Sequence, residues 1–402
     1  MKLGIVYHMP FWTNPDGSVW ELEGSFARYV DSLAPYFDEI ALCVPVFDRP
    51  RASGTRVRAA NVRLAPLPFF DGPKQFYIRV PRMLGPIVRF VRGIDMLHCR
   101  VPTPAAFPAF VGARAARKPV FLLVVGDLQA LLPTMPYRGM KKLLWRAYTA
   151  MEEFFIDRMA KGALTFANGR ALAQKHERPG HPVVETKTTT ITVCDIASRT
   201  DTCGGASIRL LTVSRIDPRK GLRCLPEAVA RLRADGRQVA LDIVGPAVGR
   251  PGEDERSAIL ADALQLGIAD YVRCVGPVPL QELMARYATY DLFVLPTLPG
   301  EGIPRVLLEA MAAGLPVVTT AVAGIPSLIV HEQNGLLIDS PSSSAVAAAV
   351  ARLSDDAALR QRLIRGGYET AHGLTLEAQA ARMTAAIADR LGVAFTPLGA
   401  ST

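Results

Sequence analysis

Short apolar runs rich in β-branched residues alternate along this chain with longer stretches whose apolar positions recur every three to four residues. In the first half the runs are KLGIVY, IALCVPV, MLHCRV, VFLLVV and ALTFA. In the second half they are IRLLTVSRI, VALDIVG, YVRCVG, LFVLPT, PVVTT and GLLID. Helical spacing fills the intervals, as in LPEAVARLRADG (225–236) and DERSAILADALQLG (254–267). Runs that are apolar at nearly every position suit strands buried on both faces, and helices between them supply the crossovers of a parallel sheet. The pattern occurs twice. It predicts an α/β protein of two Rossmann-like, doubly wound parallel-sheet domains, 1–200 and 207–374, joined by the polar, Gly-bearing stretch SRTDTCGGAS (198–207). Two such domains place a ligand at the carboxyl ends of their strands, in the cleft where they face each other.

One predicted helix breaks the polar pattern. In EGIPRVLLEAMAAGLP (301–316), Pro304 suits a helix start and Gly314 with Pro316 marks its end. Apolar residues cover almost all of the intervening surface, so the helix should be buried, yet it carries Glu309. Glu309 could lie on a narrow polar stripe, pair with Arg305 one turn earlier, or accept hydrogen bonds from a ligand's hydroxyl pair. Glu301 precedes the helix in a Pro/Gly-rich loop after a strand, where free N–H groups collect and anions bind. Pro304 has no N–H, which leaves Gly302, Ile303 and Arg305 as donors. A carboxylate beside an anion is repulsive, so Glu301 should face an uncharged part of the ligand.

A second constellation is LLTVSRIDPRKG (210–221), in which a strand ends at Ser214-Arg215 and Lys220-Gly221 opens the next helix. Two cations fixed there, Arg215 and Lys220, could neutralise a diphosphate without a metal, although solvated cations on a turn fit the same residues. There is no GxGxxG after a strand and no GxxxxGK[ST], which argues against a dinucleotide fingerprint and a P-loop.

Taken in order, these motifs resemble the GT-B retaining glycosyltransferases of family four, the group 1 glycosyl transferases. The E-x7-E pattern appears as Glu301 and Glu309, framed by DLFVLPT, EAMAAGLPVVTT and AGIPSLIVHEQNGLLI, and R-x4-K-G as Arg215, Lys220 and Gly221. The likeness is strongest over 208–340. It implies that Arg215 and Lys220 hold the donor diphosphate, that Glu309 accepts both ribose hydroxyls, and that Glu301 orients the transferred sugar. Gly302, Ile303 and Arg305 belong to the same donor site, the backbone of Val278 would meet the nucleobase edge, and Gly24 would bring a glycine loop to the diphosphate. It also implies that the segment 375–392 packs back on the N-terminal domain. Two departures stand out. Val125 occupies the place of a histidine that contacts the sugar in many relatives, so any such role moves to Asp127 or is lost. Glu23-Gly24 replaces a double glycine, while His98 matches a family position but also suits a core histidine.

The implied reaction is transfer of a hexosyl group, with retention, from a UDP- or GDP-linked sugar to a carbohydrate or lipid-linked acceptor. No cofactor is expected, and no paired aspartates suggest a metal. A sugar-nucleotide epimerase or phosphorylase on the same fold, and a catalytically silent carbohydrate- or membrane-binding protein, are the competing readings. Composition adds one further feature. Residues 1–200 hold 27 Lys and Arg against 16 Asp and Glu, whereas the remainder holds 19 against 21. The excess concentrates in RVPRMLGPIVRFVRG (79–93) and YRGMKKLLWRAY (137–148), which read either as contacts for an anionic membrane or as core helices with a basic rim. No nucleic-acid-binding module is recognisable. Six scattered cysteines without a CxxC pair suit reduced thiols, and the expected location is cytoplasmic, with contact to the cytoplasmic face of a membrane.

Overall fold

The structure, a computed structural model, describes residues 1–22, 24–51, 54–132, 138–299, 303–322 and 324–395. It divides into two compact units, one formed by Met1–Thr188 with Gln379–Thr402 and the other by Thr189–Ala378.

The first unit contains β1 (Lys2–Val6), β2 (Phe11–Thr13), β3 (Val19–Glu21), β4 (Glu39–Val46), β5 (Thr55–Arg56), β6 (Val62–Pro68), β7 (Met96–Val101), β8 (Val120–Val124), β9 (Leu164–Asn168) and β10 (Val183–Thr186). Seven of these run parallel in the order β6-β4-β1-β7-β8-β9-β10. A small antiparallel annex of β2, β3 and β5 joins β4 through the single pair Phe11–Val46. The central strands β1, β4, β7 and β8 are buried on both faces, as the continuous runs require, and they are largely apolar apart from the buried His98 and Arg100 of β7. Two parallel strands lie outside the runs expected from sequence. β6 carries Pro66 and Pro68 and is half exposed, an edge position where a missing N–H is tolerated. β10 closes the other edge.

The second unit contains β11 (Ile208–Val213), β12 (Val239–Val244), β13 (Val272–Gly276), β14 (Leu292–Leu295), β15 (Val317–Thr320) and β16 (Leu336–Ile338), all parallel, in the order β13-β12-β11-β14-β15-β16. All six follow the expected runs. One apolar cluster around Leu210, Leu241 and Val294 and another around Leu211, Phe293 and Leu307 cover its two faces. The stretch 198–207 is not a free joint. Arg360 grips Asp201 through two hydrogen bonds of 2.7 and 3.0 Å, and Cys203 N–H donates to Asp291, all within this unit.

In each unit the chain first builds the sheet outward on one side of its opening strand and then returns to build on the other. The order reverses between β1 and β7 in the first unit and between β11 and β14 in the second. At such a reversal the loops leaving the strands diverge and leave a crevice at their carboxyl ends.

Candidate donor site at the second unit's strand reversal

The loop after β11 is built around close backbone approaches. Ser214 N–H donates to Val244 O and Ile216 N–H to Pro246 O, so the chain tracks β12 beyond the sheet. Asp217 then caps a short turn, Pro218–Lys220, accepting from Arg219 N–H at 3.0 Å and from the Arg219 guanidinium at 2.9 and 2.7 Å. The Arg219 bond holds the Asp217 carboxyl down at about 2, although partial burial opposes the shift. Arg215 is exposed, whereas Lys220 is only 7% exposed at the end of the turn. Gly221 follows with φ +64°, and a Cβ there would lie 2.1 Å from Pro296 O. Only glycine fits both the conformation and the space.

That approach joins the two loops at the reversal. Arg219 O accepts from Leu298 N–H at 2.9 Å and from Thr297 Oγ1 at 3.3 Å, tying the Arg215–Lys220 loop to the segment leaving β14. The segment continues to Pro304, which takes the N-cap position of the helix Arg305–Ala312. Glu301 and Gly302 lie outside the described residues. Ile303 is partly buried against the core and Arg305 is exposed at the first turn.

Glu309 is 4% exposed within this helix. The pairing with Arg305 does not form. Its Oε1 accepts from Thr190 Oγ1 at 2.6 Å and its Oε2 from Tyr287 Oη at 2.8 Å. Two hydroxyl donors from the protein therefore satisfy the buried carboxylate, and a ligand diol would use the acceptor capacity that remains on each oxygen. Burial, reinforced by the neighbouring Glu309, pushes the Tyr287 hydroxyl well above its ordinary range, which keeps it a donor. Tyr287 closes the helix Leu280–Tyr287, which begins just after Val278, and Val278 packs against the same apolar cluster. Gly245 N–H donates to Gly276 O at 2.9 Å, fixing the strand end from which the Val278 loop departs. Arg215, Lys220, Val278, Ile303 and Arg305 thus lie in loops and at a helix start beyond the carboxyl ends of one sheet's strands, and Glu309 lies one turn further into that helix.

The remaining expected residues belong to the first unit. Gly24, with φ +88°, precedes the helix Ser25–Leu33, and a Cβ there would meet Thr55 Oγ1 at 2.4 Å. The amino end of this helix already has an anion, because Glu21 Oε2 accepts from Phe26 N–H at 3.2 Å and Ala27 N–H at 2.9 Å. Asp127, the expected substitute for the missing histidine, caps the helix Leu128–Leu131 by accepting from Gln129 and Ala130 N–H, and its other oxygen pairs with Lys175 at 2.8 Å. Burial opposes ionisation there, but the Lys175 bond and the two amides hold the carboxyl below its ordinary value. Both oxygens are committed to structure. Val125 continues β8 by donating to Val101 O. His98 is a core residue, fully buried, stacked on Phe121 at 4.4 Å and with Nε2 3.0 Å from Tyr29 Oη.

Among the described residues, the one three-ligand cluster of metal-binding type is Glu153, Asp157 and His176, and Lys175 and Arg178 already pair with its carboxylates. Of the two basic segments, the helix Val80–Arg92 turns Met83, Ile87, Phe90 and Val91 into the core. The helix Gly139–Ala160 instead exposes Met140, Leu143 and Leu144 beside Lys141 and Lys142. No helix among the described residues is long and apolar enough to cross a membrane.

Sequence reasoning did not single out Thr190, Tyr287 or Arg100. The first two are invisible as motifs because their role depends on contacts 119 and 22 residues away. Arg100 left a signal, a charge inside the apolar strand MLHCRV.

Solved structures that share this fold include WaaG, a glycosyltransferase involved in lipopolysaccharide biosynthesis, with a TM-score of 0.64 over 96% of this chain and 99% of its own, at 18% identity. HepE from Anabaena, solved in complex with UDP, superimposes with a TM-score of 0.69 over 97% of this chain and 100% of its own, at 17% identity. Residues 205–370 match the family model for glycosyl transferases group 1, so the resemblance read from the motifs holds over the second unit. The amylovoran biosynthesis glycosyltransferase AmsK of Erwinia amylovora is 37% identical over 153 residues, 37% of this chain and 36% of its own. A GDP-mannose-dependent phosphatidylinositol monomannoside mannosyltransferase of Mycobacterium tuberculosis is 34% identical over 188 residues, 45% of this chain and 46% of its own. The chain therefore spans less than half the length of the curated relatives it matches.

Proposed function

We propose that the protein is a retaining glycosyltransferase that moves a hexosyl group from a nucleoside-diphosphate sugar to a carbohydrate or lipid-linked acceptor in polysaccharide or glycolipid biosynthesis. The observation that carries this reading is the hydrogen-bonded junction of the Arg215–Lys220 loop with the segment after β14, at the sheet's reversal. Two cations on the Arg215–Lys220 loop, tied to the segment that leads to the start of the helix Arg305–Ala312, suit a diphosphate. The UDP bound to HepE and the GDP-mannose named for the mycobacterial relative support a UDP- or GDP-linked donor.

In the proposed reaction the bond between the anomeric carbon and the diphosphate oxygen breaks as the acceptor oxygen bonds to the same face of that carbon. The acceptor's proton passes to an oxygen of the departing diphosphate. Arg215 and Lys220 stabilise the charge that accumulates on the leaving group, which would make a metal unnecessary, and Glu301 orients the sugar. Glu309 receives the ribose hydroxyls on its unused acceptor positions, beside Thr190 and Tyr287. Asp127 has no part in proton transfer, since a capping carboxylate paired to Lys175 is not free to act as a base.

The decisive experiment measures nucleoside diphosphate release with UDP- and GDP-sugars in the presence and absence of acceptor, with and without a chelator. Release that requires acceptor and survives chelation is the expected result. Conversion of donor without acceptor would indicate an epimerase, and the absence of any nucleotide-induced thermal shift would indicate a silent binding protein. Exposed Met140, Leu143 and Leu144 with Lys141 and Lys142 support contact with an anionic membrane surface. Sedimentation with phosphatidylglycerol vesicles should be lost in Leu143→Glu/Leu144→Glu.

A further inference from the structure

The first unit has its own sheet reversal, between β1 and β7, where Tyr7 and His8 follow β1, Arg100 lies near the end of β7 and Thr103 follows it in the next loop. Arg100 is 7% exposed, yet its Nε and Nη1 have no hydrogen-bond partner and no carboxylate pairs with it among the described residues. Its guanidinium lies over the rings of Tyr7, Phe26 and Tyr29 at 5.1, 5.4 and 4.6 Å. Thr103 Oγ1 and His8 Nδ1 are also buried without partners. Burial, and then the charge of Arg100, hold His8 below its ordinary value, which places the two side chains within electrostatic reach of each other. His8 is only partly buried, so the cluster opens toward solvent on that side.

An arginine cannot shed its charge, and aromatic faces compensate only in part for the loss of water. A buried cation with two unpartnered nitrogens, held under three rings at a sheet reversal, is the inventory of a ligand site, because ordinary interiors satisfy nearly all such groups. We propose that Arg100, with Thr103 in the loop that follows it, forms an anion-binding subsite that takes a carboxylate or phosphate group carried by the acceptor. Only the words "carried by the acceptor" rest on the transferase reading; the site itself stands on burial and missing partners. Arg100 would contribute two N–H donors, Thr103 a hydroxyl, and the aromatic rings would hold the guanidinium plane in place while water is excluded.

The test uses the full chain, without nucleotide, in thermal-shift and calorimetric titrations with sodium glucuronate, glycerol phosphate and inorganic phosphate, with glucose as the neutral control. A rise in Tm with an anion but not with glucose is expected. It should persist in Lys220→Ala, which disables the second unit's cation pair, and vanish in Arg100→Met. A response to glucuronate alone assigns an acidic sugar, and a response to the phosphates alone assigns a phosphate ester. If Arg100→Met does not fold, as judged by loss of its far-UV circular dichroism and cooperative melt, Thr103→Val serves and should weaken the anion about fivefold through one lost hydrogen bond. No anion response, or one that Arg100→Met or Thr103→Val leaves unchanged, overturns the proposal and leaves Arg100 as a packing group over three rings. Failure of the donor reading would appear separately, as a missing nucleotide shift with the Arg100-dependent response intact.

Discussion

The two units share one strand order and place charge at the reversal in opposite ways. The second unit carries its cations on a turn outside the sheet, and its buried carboxylate, Glu309, has two hydroxyl donors. The first unit buries a cation inside β7, under three rings, with two nitrogens unsatisfied. Its carboxylate, Glu21, is spent on a helix start. A buried group with all its partners is rigid before any ligand arrives, whereas one without partners is more stable once a ligand supplies them. The second unit thus has the character of a preformed receptor, and the first that of a receptor completed by its ligand.

Removing the cation from the preformed side should have the largest effect. Lys220→Ala is expected to lower acceptor-dependent transfer about 10²- to 10³-fold, the range for losing one preorganised donor to a developing charge. The Tm without nucleotide should hardly change, while the shift induced by UDP or GDP should shrink. Near-normal transfer would break the comparison, because the buried Lys220 would then serve only the packing of its own loop.

On the first unit's side the test is acid. Burial, and then the charge of Arg100, push the His98 imidazole down to about 3, against an ordinary 6.5. Between those values the unfolded chain takes up a proton that the folded unit refuses, so stability is fully present above about 6.5 and declines toward 3. The slope is about 1.4 kcal/mol per pH unit for one such group. Urea unfolding from pH 7 to 4.5 should give that slope, and His98→Gln should flatten it. An unchanged slope in the variant would mean that burial and the Arg100 charge do not hold His98 neutral.

These contrasts were unevenly legible in the sequence. The inner strands of the second unit, β14 (LFVL) above all, stand out because burial on both faces makes them largely apolar, while the edge strand β13 shows only its β-branched residues and leaves Arg273 exposed. β6, with Pro66 and Pro68, does not read as a strand, and only an edge position makes it one. The motif residues Arg215, Lys220 and Glu309 could be named in advance because turn chemistry and an ionisable group in an apolar helix are local signals. Thr190 and Tyr287 could not, since a hydroxyl becomes a partner only when the fold brings it to the carboxylate. The stretch 198–207 misled because its polarity matches that of a linker, while the ion pair that fastens it, Asp201 to Arg360, spans 159 residues. Asp127 was named only through the resemblance, as heir to the sugar contact of the histidine missing at Val125, and its cap on a short helix and its pair with Lys175 join residues 48 apart that no local pattern links.

A smaller effect distinguishes structure from ligand binding at Glu309. Tyr287→Phe removes the donor to Oε2 from a site that excludes water, at a cost of about 1–3 kcal/mol in urea unfolding. If a ribose diol also reaches this carboxylate, saturating UDP or GDP should stabilise the variant by at least as much as the wild type. If nucleotide stabilises the two proteins equally and Glu309→Gln binds nucleotide normally, Glu309 serves the core alone, and the second unit's claim to be a preformed receptor narrows to its cations.

The smallest effect concerns the turn that presents Lys220. The Arg219 bond holds Asp217 at about 2, below the ordinary 3.8, so the folded state favours the ionised carboxylate. That contribution is complete above 3.8 and is lost as the pH falls through 2. Solvent reaches the pair and screens it, which keeps the gain modest. Asp217→Asn should therefore unfold at slightly lower urea than the wild type from pH 7 to about 4, with the gap closing toward pH 2. Because Asp217 also accepts the Arg219 N–H that shapes the turn, the same variant should weaken nucleotide binding at neutral pH more than it lowers stability. A variant that loses stability without losing nucleotide affinity would show that Lys220 keeps its position without the cap, and that the rigidity of this loop comes from the Gly221 and Pro296 contact instead.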